Sequence, residues 1–570
     1  MPEHLRALVF LLFLGGVVWT LAGRQRIGLP IAPDDFRRRR NLWFAATLFA
    51  FLAHDFWVFM AALALAVGLA ARSERNPIAL FLVVALAIPP FFREIPGALG
   101  IDHLIALDVP RLLALVLLLP AWFVLRARPD VERFGTLWPD RFLAGYLVLY
   151  FLAQVPYDSL TNSIRLGLVY PFLEVFLPYY VASRSVRSVR AFKDVAATLA
   201  VTAMVLALIA AFEFARGWLL YSALNDALGV TWYFSNYLTR GEGGRLRAQA
   251  SIGHSIVLGY LFAVALILFA LLRPEMSAPR VVSDAPTNRA STNFGGRFGT
   301  SLVGALLAVP LALLAFLRPS SYVPGRPAPI AKPTRFPSIA WRAGAALLVV
   351  GLIASLSRGP WVGAAAGLLV LAVTGPQVMS RVAKLSTGGV LAIGALMTTE
   401  AGRRIVDFLP FIGSVDSYNV SYRQRLIDVS MDVVMQRPLF GAYDFMSNPL
   451  LEQMRQGEGI IDIVNSYLGV AMRNGLVGLA LFMGVFLTAG WGLMQCLRRI
   501  EDKDSEDHLL GRVLLAALAA VMVTIATVSS ILTVGLIYWC VLGWAVGYRQ
   551  MMLARLPALR PVPQGRYARR

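Results

Sequence analysis

Three basic sites at the ends of apolar segments carry the side chains best suited to hold an anion. Arg245, Arg247 and His254 lie in GRLRAQASIGHSIVLGY, Ser357-Arg358-Gly359 forms a turn in SLSRGPWVG, and Arg423 and Arg425 open the polar stretch SYRQRLIDVSMDVVMQ. A guanidinium stays charged and binds two oxygens at once, which suits phosphate or pyrophosphate. Arg358 is the sharpest of them, because its flanks AGAALLVVGLIASL and PWVGAAAGLLVLAV hold no counter-charge. An arginine at such depth is costly without a partner or a function; the competing reading is a snorkelling anchor at a helix end. Asp462 and Glu458, just before Asn465, could serve as a base by position, against a plain role as solvated loop carboxylates. His254, alone at a helix start, reads first as structural. Asp428 and Asp432 share a helix face but lack a third ligand at useful spacing, so no metal is expected.

These groups need elements to hold them, and the composition says what kind. The 570-residue chain is 58% hydrophobic, with apolar runs repeating from end to end. The expectation is an all-α, polytopic integral membrane bundle of about 14–16 helices. Basic residues cluster in alternate loops (Arg24 and Arg26, Arg37 to Arg40, Arg72 and Arg75, Arg184 to Lys193), which places those loops in the cytoplasm. Residues 216–252 and 401–473 then lie outside, and the tail 549–570 inside. The segment 301–317, with Pro310 at its centre, breaks the parity and is read as a re-entrant or interfacial hairpin within a cytoplasmic insert at 273–341. The remaining units are an N-terminal bundle (1–252), central helices (253–400) and C-terminal helices (474–548).

Several function classes drop out. The net charge of +20 is read as loop arginines meeting anionic lipid rather than nucleic acid. Cys496 and Cys540 sit in or beside apolar segments, so no disulfide framework follows. No GxxxxGK occurs, which removes a phosphate-cradling P-loop. The outer stretch 401–473 carries an amphipathic cap helix. Ile427, Met431 and Val434 recur at helical spacing, and Pro438-Leu439-Phe440-Gly441 stops it.

Four segments in order resemble the bacterial O-antigen ligase and polymerase family: RAQASIGHSIVLGY, SLSRGPWVGAAAG, SYRQRLIDVSMDVVMQRPLFGAYDF and NSYLGVAMRNGLVGLALF. The detailed match covers about 247–485, and the N-terminal half agrees only as a many-spanned bundle. Ligases of the family commonly carry a histidine immediately before the Asn; Val464 stands there, so a polymerase or exopolysaccharide-assembly relative fits better. The resemblance implies a membrane glycosyltransferase of the bacterial inner membrane, with a polyprenyl-diphosphate-linked glycan as donor. Arg247 and Arg358 would clamp the diphosphate, Arg423 would assist, and Asp462 is the candidate base. Arg245, His254, Arg425, Asn465 and Tyr467 complete the expected substrate contacts. Membrane lipids and other polysaccharide-assembly proteins are the implied partners, with neither metal nor nucleotide cofactor. The alternatives are a flippase for lipid-linked sugar and a non-catalytic assembly partner.

Overall fold

The computed structural model describes residues 1–24, 29–97, 103–230, 239–240, 244–273, 338–400, 403, 406, 417–455, 461–531 and 533–555. Its principal elements begin with α1 (Glu3–Arg24), α2 (Pro33–Leu52), α3 (Phe56–Ala71), α4 (Pro77–Ala85) and a hairpin of β1 (Phe92–Pro96) with β2 (His103–Asp108). There follow α5 (Val109–Arg126), α6 (Trp138–Leu152), α7 (Leu160–Ser185), α8 (Val189–Arg216), the short antiparallel pair β3 (Thr239–Arg240) and β4 (Arg245–Leu246), and α9 (Ser255–Leu272). The chain continues through α10 (Ser338–Ala354), α11 (Arg358–Val373), α12 (Val378–Met397) and the cap helix α13 (Ser417–Gln436). It ends with α14 (Ser466–Arg499), α15 (Glu506–Ile525) and α16 (Val534–Arg555). Among the described residues α1, α5, α7, α8, α9, α14 and α15 are long and apolar enough to cross a membrane by length and composition. The fold is an all-α membrane bundle with two short hairpins added. The hairpin expected at 301–317 and the tail beyond 555 lie outside the described residues.

Helix ends fall where polar groups can satisfy the free backbone. Asp55 accepts from the N–H groups of Trp57 and Val58 at 2.9 and 3.0 Å, making His54-Asp55 the turn between α2 and α3. In the centre α11 packs on α15 through Gly359, Gly363 and Gly367, one every fourth residue. A Cβ at Gly363 would stand 2.0 Å from the Thr524 hydroxyl. Small residues at this spacing let two backbones approach where lipid offers no hydrophobic drive. The contact fixes the rotation of α11, and with it the direction of Arg358 in its first turn.

Two arginines expected to mark cytoplasmic loops are instead inside the protein. Arg39 lies within α2, is 1% exposed, and pairs with Glu74 at 2.7 Å and Asp194 at 2.8 Å. Arg184 at the end of α7 pairs with Asp140 at 2.5 Å, and Tyr179 donates to the same carboxylate. Buried charges are tolerable only when paired and hydrogen-bonded in this way.

The cap helix corrects the expected apolar stripe. Leu426, Val429, Val433 and Val434 are buried against Leu451, Met454, Ala471 and Met472, whereas Ile427 and Met431 are 48% and 47% exposed. Of the expected stripe only Val434 is buried, so periodicity placed the buried face about one residue off at Ile427 and Met431. Its stop is as expected. Beyond Pro438 the turn meets α14 at a break: Leu476 donates to the Pro438 carbonyl at 2.8 Å, Val477 to Leu439 at 3.2 Å, and Ala442 to Met472 at 2.9 Å. Gly475 has φ 67° and ψ −173°, a region open essentially to glycine alone. A Cβ there would lie 2.2 Å from the Leu439 carbonyl oxygen. Gly475→Ala is therefore expected to cost roughly 1–3 kcal/mol from backbone strain, before the clash is counted. The thermal unfolding midpoint of the purified protein should fall and the cap should become protease-sensitive; an unchanged midpoint refutes the tight junction.

Candidate functional site

The loop carrying Arg247 owes its shape to Glu213, a fully buried carboxyl near the end of α8. It accepts from the backbone N–H of Leu220 at 3.1 Å, Gln249 at 3.0 Å and Ala250 at 2.8 Å. Ala248 also donates to the Ala354 carbonyl at 3.1 Å, tying the loop to the end of α10. Non-helical backbone inside a membrane bundle persists only if such partners exist. Held from both sides, Arg247 donates through Nη2 to the Ser357 hydroxyl at 3.0 Å. That hydroxyl donates onward to the Ser355 carbonyl at 2.9 Å, which leaves its lone pairs for the guanidinium. Arg358 is the next residue and the first of α11, so two arginines 111 positions apart meet at one turn.

The cap brings a third. Tyr422 donates from its hydroxyl to the Asp462 backbone carbonyl at 3.0 Å, and Arg423 follows it in the helix. Arg423 keeps contact with solvent, yet desolvation pulls its pKa below the ordinary arginine range, with Arg358 adding to the fall and Asp462 opposing it. The arginine thus lies in the field of both groups. Asp462 is fixed in turn: its Oδ1 accepts from the Ser529 hydroxyl at 2.6 Å. Arg247, Arg358, Arg423 and Asp462 therefore share one locality beneath the cap.

Other expected contacts have different places. His254 is the N-cap of α9, its Nδ1 accepting from the Ile256 N–H at 3.3 Å. Burial, and then Arg247, push its pKa down to about 4, so the imidazole is neutral at pH 7. Arg245 is exposed on β4 with its guanidinium 5.7 Å from the Phe214 ring centroid. Arg425 is exposed, and two residues along a helix turn it about 200° away from Arg423. Asn465 caps α14 by accepting from Tyr467 and Leu468 N–H, and the Tyr467 hydroxyl donates to the Met522 carbonyl at 2.9 Å. Val464 packs into the small apolar cluster under the cap helix. Among the described residues no group of three or more His, Cys, Asp or Glu is arranged to hold a metal.

Asp462 and Asn465 also form part of the wall of a cavity of about 930 Å³ between cap and bundle. Its far wall is built by the β1–β2 hairpin and α7, neither of which showed a chemical signal in sequence. Arg473 and Asn474 line it as well. They were passed over because they sit at the polar edge of an apolar run; the clue available was Arg-Asn-Gly inside a helical pattern, a mark of broken backbone.

A family model described as O-antigen ligase matches residues 343–483, from α10 through the cap to the middle of α14. No curated protein matches the chain.

Two outcomes test the construction of the site. Glu213→Ala leaves three buried N–H groups unpaired, with a loss on the order of 3 kcal/mol. Calorimetry should show this as a lower unfolding midpoint, and Glu213→Gln, which still accepts, should recover part of it. His254 has a folded pKa near 4 against an unfolded value of 6.5, so the unfolded state takes up the proton first. Stability should fall as pH drops from 6.5 toward 4. His254→Asn, which keeps a capping oxygen, should lose that part of the acid sensitivity; an identical pH dependence overturns the assignment.

Proposed function

We propose, on the match of residues 343–483 to a family model described as O-antigen ligase, that the chain transfers or polymerises glycan carried on polyprenyl diphosphate. The proposed location is the outer face of the bacterial inner membrane. The observation that carries the reading is the bond from Arg247 to Ser357 beside Arg358, with Arg423 in the field of that same arginine. Guanidinium groups drawn from distant parts of the chain suit an anion with several oxygens, such as pyrophosphate. The polyprenyl tail lies among the apolar helices.

In the proposed step an acceptor sugar hydroxyl attacks the anomeric carbon of the donor. A new C–O bond forms as the anomeric carbon–pyrophosphate bond breaks, and the electron pair leaves with the pyrophosphate. Arg247 and Arg358 stabilise the charge arriving on that leaving group, and Arg423 adds to the field. The hydroxyl proton passes to Asp462, whose carboxylate is held by Ser529 close to Arg423. Val464 leaves no histidine at the position where relatives resembling this chain carry one, and Asp462 is the proposed replacement.

Purified protein given a lipid-linked oligosaccharide donor should make longer or transferred glycan. Arg358→Gln should reduce the rate roughly 10²–10³-fold, and Arg358→Lys, which keeps charge but loses the planar fork, should recover only part. Wild-type rates in both variants refute the clamp. Asp462→Asn should lower the rate roughly 10²–10⁴-fold with donor binding unchanged, and a wild-type rate refutes the base.

A further inference from the structure

We propose that the 930 Å³ cavity beside Asp462 is a saccharide chamber that holds a short stretch of the acceptor glycan, with Arg473 and Asn474 as its central polar contacts. The inference rests on the glycan-transfer reading above and adds the place and chemistry of the second substrate. Neither residue was part of the expected site.

The first observation is a set of polar side chains with nothing to bond. Asn474 is fully buried at the break in α14, and among the described residues neither its amide nitrogen nor its oxygen has a hydrogen-bond partner. Thr533 is 2% exposed, and its hydroxyl is likewise unpartnered among the described residues. Arg473 lies between two tyrosines, its guanidinium carbon 4.3 Å from the Tyr150 centroid and 4.5 Å from that of Tyr443. Among the described residues it has no carboxylate partner, and its buried Nε has no acceptor. All three line the same cavity. Leaving so many buried polar groups unpaired is expensive, which points to a polar ligand. Arg111 in the far wall shows the contrast: it stacks on Tyr170 at 3.9 Å and is neutralised by Glu174 at 2.6 Å.

The kind of ligand follows from what the wall offers. An arginine only donates, whereas an amide and a hydroxyl both donate and accept, so the partner must carry groups of both kinds. Hydroxyls do. The rings of Tyr146, Tyr150, Tyr443, Tyr538 and Trp539 supply flat apolar faces for the C–H side of a sugar ring. A polyprenyl tail would leave the polar groups unpaired. Pyrophosphate is disfavoured by charge, since among the described residues the carboxylates Glu94, Asp108, Glu174 and Asp462 outnumber the guanidinium groups of Arg111 and Arg473 by four to two. The volume is at the upper end of the ~300–1,000 Å³ usual for small-molecule sites, which suits more than one sugar ring.

The position selects the acceptor over the donor's own glycan. Asp462 belongs both to this wall and to the field of Arg423. A saccharide lodged against Arg473 presents a hydroxyl to the carboxylate from the cavity, which none of Arg247, Arg358 and Arg423 lines. Attack then comes from the chamber while the leaving group stays with the guanidinium groups.

The test uses the full-length protein in lipid nanodiscs with two probes: a lipid-free oligosaccharide of a few repeat units from the cell's own surface polysaccharide, and sugar-free polyprenyl diphosphate. Arg473→Gln and Tyr443→Ala should each weaken oligosaccharide binding at least tenfold and leave polyprenyl diphosphate binding within twofold. Arg358→Gln should do the reverse. Thr533→Val, which keeps the side-chain shape, provides a third variant should either of the first two fail to fold. Oligosaccharide binding that stays within twofold in every folded chamber variant, or no binding to the wild type, overturns the chamber. If polyprenyl diphosphate does not bind but the oligosaccharide does so through Arg473, the clamp reading falls and the chamber stands. In turnover, Arg473→Gln should raise KM for acceptor with little change in donor KM; a rise in donor KM alone overturns the assignment to acceptor.

Discussion

Wherever a helix breaks inside this bundle, its orphaned backbone groups have to be met by something else, because hydrocarbon offers no water. Two breaks matter. Before α9 the chain departs from helix at residues 247–252, and Glu213 and the Ala354 carbonyl receive its N–H groups. At Gly475 the chain departs again, and the carbonyls of Pro438 and Leu439 take the N–H groups of Leu476 and Val477. Each repair does more than satisfy a bond. The first delivers Arg247 to Ser357, and the second docks the cap so that Arg423 approaches Arg358 while Arg473 turns toward Tyr150 and Tyr443. Rigid, internally bonded breaks hold side chains more closely than a flexible loop could.

Charge is divided across the two regions that these breaks create. Arg247, Arg358 and Arg423 gather at one locality, and none of them lines the cavity, whose wall among the described residues holds four carboxylates and two guanidinium groups. Asp462 stands at the junction, anchored by Ser529 and by its backbone bond to Tyr422. Such a gradient orients a substrate that is anionic at one point and neutral elsewhere, since each portion is driven from the region unsuited to it. A phosphate-free saccharide and a pyrophosphate would be sorted to different regions that share one carboxylate.

What could be read in advance was local. His54-Asp55, Ser357-Arg358-Gly359 and the stop at Pro438 are turns written into neighbouring residues, and each stands where the spacing put it. The all-α membrane character was equally plain from the apolar runs. Long-range features were not legible. Glu213 looked like one carboxylate at the end of an apolar span, because its three partners are 7 to 37 residues away. Arg39 and Arg184 looked like loop charges because their partners come from segments 35 to 155 residues away. The cap helix misled for another reason: Ile427 and Met431 keep helical spacing as well as Leu426 and Val429 do, and only packing against Ala471 and Met472 decides which face is buried. The cavity has no sequence signature at all, since its walls come from segments nearly 460 residues apart.

Buried charge also separates carrying the proposed lipid-linked sugar across this bundle from reacting it at one end. A carrier needs polar or charged groups along the route, exposed in turn to each side. Here two deeply buried arginines away from the cap are already committed to carboxylates: Arg39 to Glu74 and Asp194, and Arg184 to Asp140. Separating such pairs to pass a pyrophosphate would strand buried ions at a cost of about 3–5 kcal/mol for each pair broken. Beneath the cap the situation is reversed, with Arg473 held by aromatic rings rather than by a carboxylate and Asn474 without a partner among the described residues. Polar capacity left open beneath the cap, beside charges elsewhere that are locked in pairs, is what the proposed bond-making site needs.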